Sequence, residues 1–253
     1  MEGTAGPTRS MGSRSQAAVM TTTTRARIGA LLLVIGPLAF TVADLLRRLV
    51  EPSGSPKAPA IADAVGDHGG LWLLAGLLSV VAALCLVPGV LALLPVSSGS
   101  TTEGRGSRLT TLGVAMVAIG GIASAGHAVA FYAPYALYAR ANTSADALTA
   151  LDDASESYAL LVLLIALFIA GMMLGSIVLF IGLRRARLVP IWSVVAVVVF
   201  VACGTTGGVL PGVIGIVAAL AAFGPAAASV GQVGRSRAQE PGAGLVAGHP
   251  EQA

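Results

Sequence analysis

The chain has 253 residues, 55% of them hydrophobic and 11% charged, with a formal net charge of +3. Soluble domains carry about 25% charged residues, so a water-soluble enzyme or binding domain is excluded and a polytopic membrane protein is expected. The arginines are scattered over short segments, with no basic stripe and no interleaved aromatics, which argues against a nucleic-acid partner.

Residues 1–26, rich in Ser, Thr, Gly and Ala, hold too little apolar surface to fold and are expected to be a disordered cytoplasmic tail, with Met11 and Met20 as alternative starts. Residues 27–231 are expected to form an all-α transmembrane bundle of six spans. These lie at about 28–46, 71–95, 109–133, 158–183, 190–206 and 209–231, each close to the ~20 residues a helix needs to cross the hydrocarbon core. The apolar run after Arg27 is long for a signal peptide and reads as an uncleaved first span. No charged residue occurs between Arg187 and Arg235, and a single helix of that length would run roughly 70 Å at ~1.5 Å per residue. The chain must therefore turn, and Cys203–Gly212, "CGTTGGVLPG", supplies glycines and Pro211 for it. Residues 232–253 are expected to be a second disordered cytoplasmic tail.

Positive charge sets the expected orientation. With both termini cytoplasmic, the inner segments hold Arg9, Arg14, Arg25, Arg27, Arg105, Arg108, Arg184, Arg185, Arg187, Arg235 and Arg237, whereas the outer loops hold Arg47, Arg48, Lys57 and Arg140. Eleven against four is the direction the positive-inside rule requires, and it accounts for the basic character of the chain. A multi-pass protein of the cell membrane follows.

Depth can then be assigned to the polar residues. His127 stands nineteen residues beyond Arg108, ~28 Å along the helix and so near the outer interface. Tyr132, Tyr135 and Tyr138 follow at spacings of three, and Trp72 and Tyr158 begin the second and fourth spans at the same level, as an aromatic belt would. Pro134 removes a backbone hydrogen bond and is expected to bend or end the third span. Asp44 is the one acid inside a span, with Arg47 and Arg48 at helical spacing, and the expected role is a local ion pair at an exposed helix end.

The functional alternative is that Asp44, Asp67, His68, His127 and Tyr135 converge on the outer face. Two imidazoles and two carboxylates are a transition-metal donor set, but no HExxH, HxxxH or cysteine cluster accompanies them, so neither metal nor haem is expected. No catalytic motif is found and no enzyme is expected. Cys85 and Cys203 differ in depth by about 10 Å along their helices, too far for a disulfide. "GMMLG", Gly171–Gly175, and the pair Gly120 and Ser124 let helices approach closely, and they are read as packing within the bundle. "NTS" at Asn142 would be a glycosylation acceptor in a eukaryotic secretory pathway, but the Ala-, Gly- and Arg-rich usage points to a GC-rich bacterium. Shifting residues 64–93 by 86 pairs Asp67 with Asp153, Trp72 with Tyr158, Gly89 with Gly175 and Leu93 with Leu179, which suggests a duplicated helical hairpin running parallel.

The order "RIGALLLVIGPLAFTVADLL", "GDHGGLW" and "LRRARLVPIW" resembles a family of six-span bacterial membrane proteins grouped by a domain of unknown function, over residues 25–231. That resemblance implies the architecture and carries no activity or catalytic residues. The expected role is a non-enzymatic membrane module or accessory protein whose companions are the lipid bilayer and a membrane-protein partner or second copy. The alternative is a small-molecule permease or exporter in which Asp44, His127 and the tyrosines line an outward vestibule.

Overall fold

The computed structural model describes residues 11–53, 57–98 and 105–239, and every regular element among them is helical. These are α1 (Met11–Val50), α2 (Ala58–Leu91), the short α3 (Leu94–Ser98), α4 (Arg105–Ala141), α5 (Ala145–Ser157), α6 (Ala159–Ile169), a π-turn (Ala170–Leu174), α7 (Gly175–Arg185), α8 (Ile191–Thr205) and α9 (Val209–Gln239). Five helical stretches are long and apolar enough to cross a bilayer: Thr24–Val50, Ala58–Val96, Gly106–Ala141, Ala159–Arg185 and Val209–Ser236. The sixth apolar helix, Ile191–Thr205, has only 15 residues, or ~22 Å of rise. Pro190 stands at its start and the turn expected at Cys203–Gly212 ends it, with Gly208 at φ +92, a conformation open to glycine at no steric cost.

Both expected tails are shorter in the structure. Helix α1 already begins at Met11 and α9 runs on to Gln239, because a helix nucleated by an apolar span gains one hydrogen bond for each residue it adds. Residues 1–10 and 240–253 of those tails lie outside the described residues. Pro134 does not end its helix either: α4 continues through it to Ala141, as helices supported by neighbours can.

The helices close into a ring in the order α1, α2, α4, α7, α8, α9 and back to α1. Ala26 faces Gly234, Gly29 faces Ala92 and Gly106 faces Ala186, so Arg25, Arg27, Arg108, Arg184, Arg185, Arg187 and Arg235 gather at one end, all exposed. Asp44 and His127 lie toward the other. The glycines make the seams. A Cβ built on Gly120 would stand 2.6 Å from the Gly171 carbonyl carbon, and one on Gly113 would stand 2.4 Å from Leu179 Cα, so the α4–α7 backbones touch without side chains between them. The "GMMLG" glycines therefore pack within the chain.

The hairpin repeat has a structural counterpart. In the first hairpin Gly29 meets Ala92, Gly36 meets Leu86 and Gly89 meets Leu33. In the second, Gly113 meets Leu179, Gly120 meets Met172 and Gly175 meets Val117, the same contacts moved along the chain by 84 residues on one helix and 86 or 87 on the other. Each hairpin also carries a short helix at its Asp44 end: the first turns of α2, set off by a kink at His68 (φ −129, ψ 33), and α5. The two pack on each other through Ala58, Ala62 and Leu148.

One span departs from the ring. Helix α7 packs on both α4 and α8, but above the π-turn α6 packs on α4 and α5, has no extended contact with α8, and buries none of its residues. The ring is thus closed at the Arg184 end and open on one side at the Asp44 end.

Candidate functional site

A cavity of about 280 Å³ occupies the Asp44 half of the bundle, behind the gap between α6 and α8. Its polar groups are Thr41, Asp44 and Arg47 from α1, Ser79 from α2, and Ser124, His127 and Tyr132 from α4; its apolar wall is Phe40, Phe168, Met172, Met173 and Phe200. The π-turn supplies the two methionines. Such turns widen a helix by one residue and recur at functional sites, and here the wider turn carries Met172 and Met173 on the cavity wall.

Asp44 is held from both sides. Its Oδ1 accepts from Arg47 Nε at 3.2 Å and Nη2 at 3.0 Å, and its Oδ2 accepts from Arg48 Nε at 2.6 Å. The expected local ion pair is present, but its setting differs from an exposed helix end, since Arg48 is 1% exposed. Its remaining donors reach across to the α8–α9 turn: Nη1 donates to the Thr206 and Gly208 carbonyls and Nη2 to Cys203 O at 2.8 Å. These carbonyls lie at and just beyond the C-terminus of α8, where intrahelical N–H partners run out, and the guanidinium from α1 meets them, with Thr206 Oγ1 a second donor to Cys203 O. Arg48 is therefore a staple joining α1 to the α8–α9 turn, with Asp44 as its counter-ion.

His127 lies between rings. Phe168 stacks on it at 5.2 Å and 17°, and Phe131 at 5.9 Å and 24°. Neither imidazole nitrogen has a hydrogen-bond partner among the described residues. Phe40 carries the aromatic wall on, 6.1 Å from Phe168 and 6.4 Å from Phe200.

The aromatic belt is corrected by the packing. Trp72 is 1% exposed, donates its indole N–H to Tyr132 O at 2.9 Å, and is enclosed by Phe131, Tyr132 and Tyr135. Tyr135 and Tyr138 are half-buried under the two short helices, and only Tyr158 is exposed as a lipid-interface ring would be. An indole can satisfy its single donor inside the protein once a carbonyl is offered, and burying the ring removes a large apolar area from its surroundings.

Of the five residues expected to converge, the structure brings Asp44 and His127 to one cavity. Asp67 and His68 are exposed at the kink of α2, and Tyr135 belongs to the Trp72 cluster, outside the cavity lining. The kink turns the "GDHGG" segment away from the bundle. Among the described residues no group of three His, Cys, Asp or Glu side chains is placed to hold a metal ion. Cys85 and Cys203 are both free thiols, and Cys203 lies beside the cavity. Sequence reasoning missed Arg48 as a buried staple, and Ser79, Ser124 and the π-turn methionines as lining. The Asp44-Arg47-Arg48 spacing was the available signal for the first; the others carry none, being ordinary residues of apolar helices. No protein family, no curated protein and no solved structure matches the chain.

Proposed function

We propose that this is a six-span protein of the cell membrane, both termini cytoplasmic, that binds a small molecule in its outer half as a permease or exporter rather than acting as an enzyme. The 15-residue α8 completes the sixth span in this reading, its short length made up by the α8–α9 turn that Arg48 ties down. The exposed arginines gathered at the opposite end support the orientation. The observation that carries the function is the cavity itself. Asp44, Arg47 and His127 face a shared space rather than lipid, among aromatic and methionine side chains, the mix that ligand sites favour.

The same geometry speaks against catalysis. Both Asp44 oxygens are engaged by arginines, and the His127 ring is held by stacking on Phe168 and Phe131 with no hydrogen-bonding orienter among the described residues, which favours binding over acid–base or nucleophilic chemistry at this cavity.

The test is the content of the cavity. Protein purified in mild detergent should carry a bound small molecule in native mass spectra, and a Gly215→Leu variant should carry none. Gly215 lines the cavity, and a Cβ there meets nothing closer than Cys203 Cβ at 3.6 Å, so the leucine fills space without moving backbone. Equal occupancy of both proteins, or an empty cavity in wild type, contradicts the reading.

A further inference from the structure

The cavity's donors and acceptors are unequal. Asp44, the carboxylate among its lining residues, has both oxygens taken by Arg47 and Arg48, and Arg48 has its other donors on backbone carbonyls. Glu51, further along α1, is turned to its own loop, where it accepts from the Ser53 N–H at 2.8 Å, and does not line the cavity. What remains facing the space are the unused N–H groups of Arg47, the one donor and one acceptor nitrogen of a neutral imidazole, and hydroxyls that can donate or accept, Ser124 among them, so the fixed charge there is positive. Two guanidiniums against one carboxylate leave one positive charge in that triad. Its complement is an anionic oxygen head.

The rest of the cavity asks for hydrocarbon. Phe40, Phe168, Met172, Met173 and Phe200 form its wall, and it lies behind the gap between α6 and α8, helices whose exposed residues include Leu163, Leu167, Val195 and Val198. A volume of about 280 Å³ is roughly twice the ~150 Å³ of a cavity that holds benzene, room for a carboxylate and the first carbons of a chain but not for a whole lipid. The remainder of a chain has a way out through the gap.

Resting on the cavity reading above, we infer that the ligand is a single-chain carboxylate amphiphile that enters sideways from the leaflet at the Asp44 end, its head on Arg47, His127 and Ser124 and its chain leaving between α6 and α8. The π-turn makes this passage: it ends the tight α4–α7–α8 packing and places Met172 and Met173, long and adaptable side chains, at the threshold.

The experiment uses full-length protein in nanodiscs of a zwitterionic lipid, with dodecanoate, dodecyl phosphate, dodecanol and dodecyltrimethylammonium as probes, read by native mass spectrometry and calorimetry. Dodecanoate should bind at one per chain, at least tenfold tighter than the alcohol and the ammonium, and tighter than the bulkier phosphate. Arg47→Gln should weaken dodecanoate at least tenfold and leave dodecanol unchanged. Ser124→Ala, a change that alters no packing contact larger than one oxygen, should weaken it several-fold if Arg47→Gln fails to fold. A diazirine at the chain end of dodecanoate should label peptides from 159–174 and 191–205. Alcohol or ammonium binding as tight as dodecanoate, tighter binding of the phosphate, or labelling confined to other helices overturns the inference while leaving a cavity that binds some molecule. An empty cavity in wild type, with none of the four probes bound, overturns both.

Discussion

The two ends of the bundle are built from the same helices and differ in one joint. At the Arg184 end, α7 packs on α4 with glycines on the seam, Gly113 against Leu179 and Gly182 against Thr110, so that those two backbones touch, and α7 also contacts α8. At the Asp44 end the same span continues as α6, leaves α8, and opens a cavity lined by Asp44, Arg47 and His127. The π-turn at Ala170–Leu174 divides the two. Tight backbone packing and open space are thus separated along one helix by a local change of pitch.

The largest effect expected is all-or-none and concerns which end faces out. In a Cys85→Ser, Cys203→Ser background, cysteines at Ser53 and Thr143 should react with an impermeant thiol reagent added to intact cells, and one at Arg187 should not. Labelling at 187 from outside would invert the comparison.

Next is the staple. Arg48→Met should cost about 1–3 kcal/mol in denaturation of the purified protein, because it removes a buried guanidinium that bonds the Cys203, Thr206 and Gly208 carbonyls and one oxygen of Asp44. Arg48→Lys should recover little, since one ammonium cannot reproduce a planar fork reaching three carbonyls. Arg47→Gln, at a half-buried and singly paired position, should cost under ~1 kcal/mol. Equal costs at 47 and 48 would mean that Arg48 is not the tie between α1 and the α8–α9 turn.

Glycine substitutions sharpen the contrast. Gly113→Leu forces a Cβ to within 2.4 Å of the Leu179 backbone and should destabilise by ~3 kcal/mol or more, seen as lost monodisperse protein and a lower melting temperature. Gly215→Leu, in the open half, should change stability by less than ~1 kcal/mol, and in the stabilising direction, because leucine is the better helix former. A large loss at 215 would show that the cavity collapses in the membrane.

Much of the frame could be read from the sequence. The long apolar runs located the apolar helices, five of them long enough to cross a membrane where six spans were expected, and the glycines located the turn before α9, because hydropathy and turn chemistry are local. The cavity was not legible. Asp44 and His127 were expected at the same end of the bundle and lie there, but position along a helix does not say which face meets protein, and a polar group near a helix end is tolerated on either face. Arg48 looks the same in sequence whether it meets water or a carbonyl 155 residues away. Asp67 and His68 read as site residues for the opposite reason: a single kink in α2 turned both outward. The repeat was visible only faintly, since the contacts it preserves are between small residues that any membrane helix contains.

The most direct test of the central claim compares neighbours of equal burial. Ser124 and Ala123 are 3% and 5% exposed on the same turn of α4, but only Ser124 lines the cavity. In the Cys85→Ser, Cys203→Ser background, Ser124→Cys should be alkylated by N-ethylmaleimide in native membranes and Ala123→Cys should not, and adding Gly215→Leu should protect position 124. Equal reactivity at 123 and 124, or no protection by the leucine, would mean that no accessible cavity joins Asp44, Arg47 and His127.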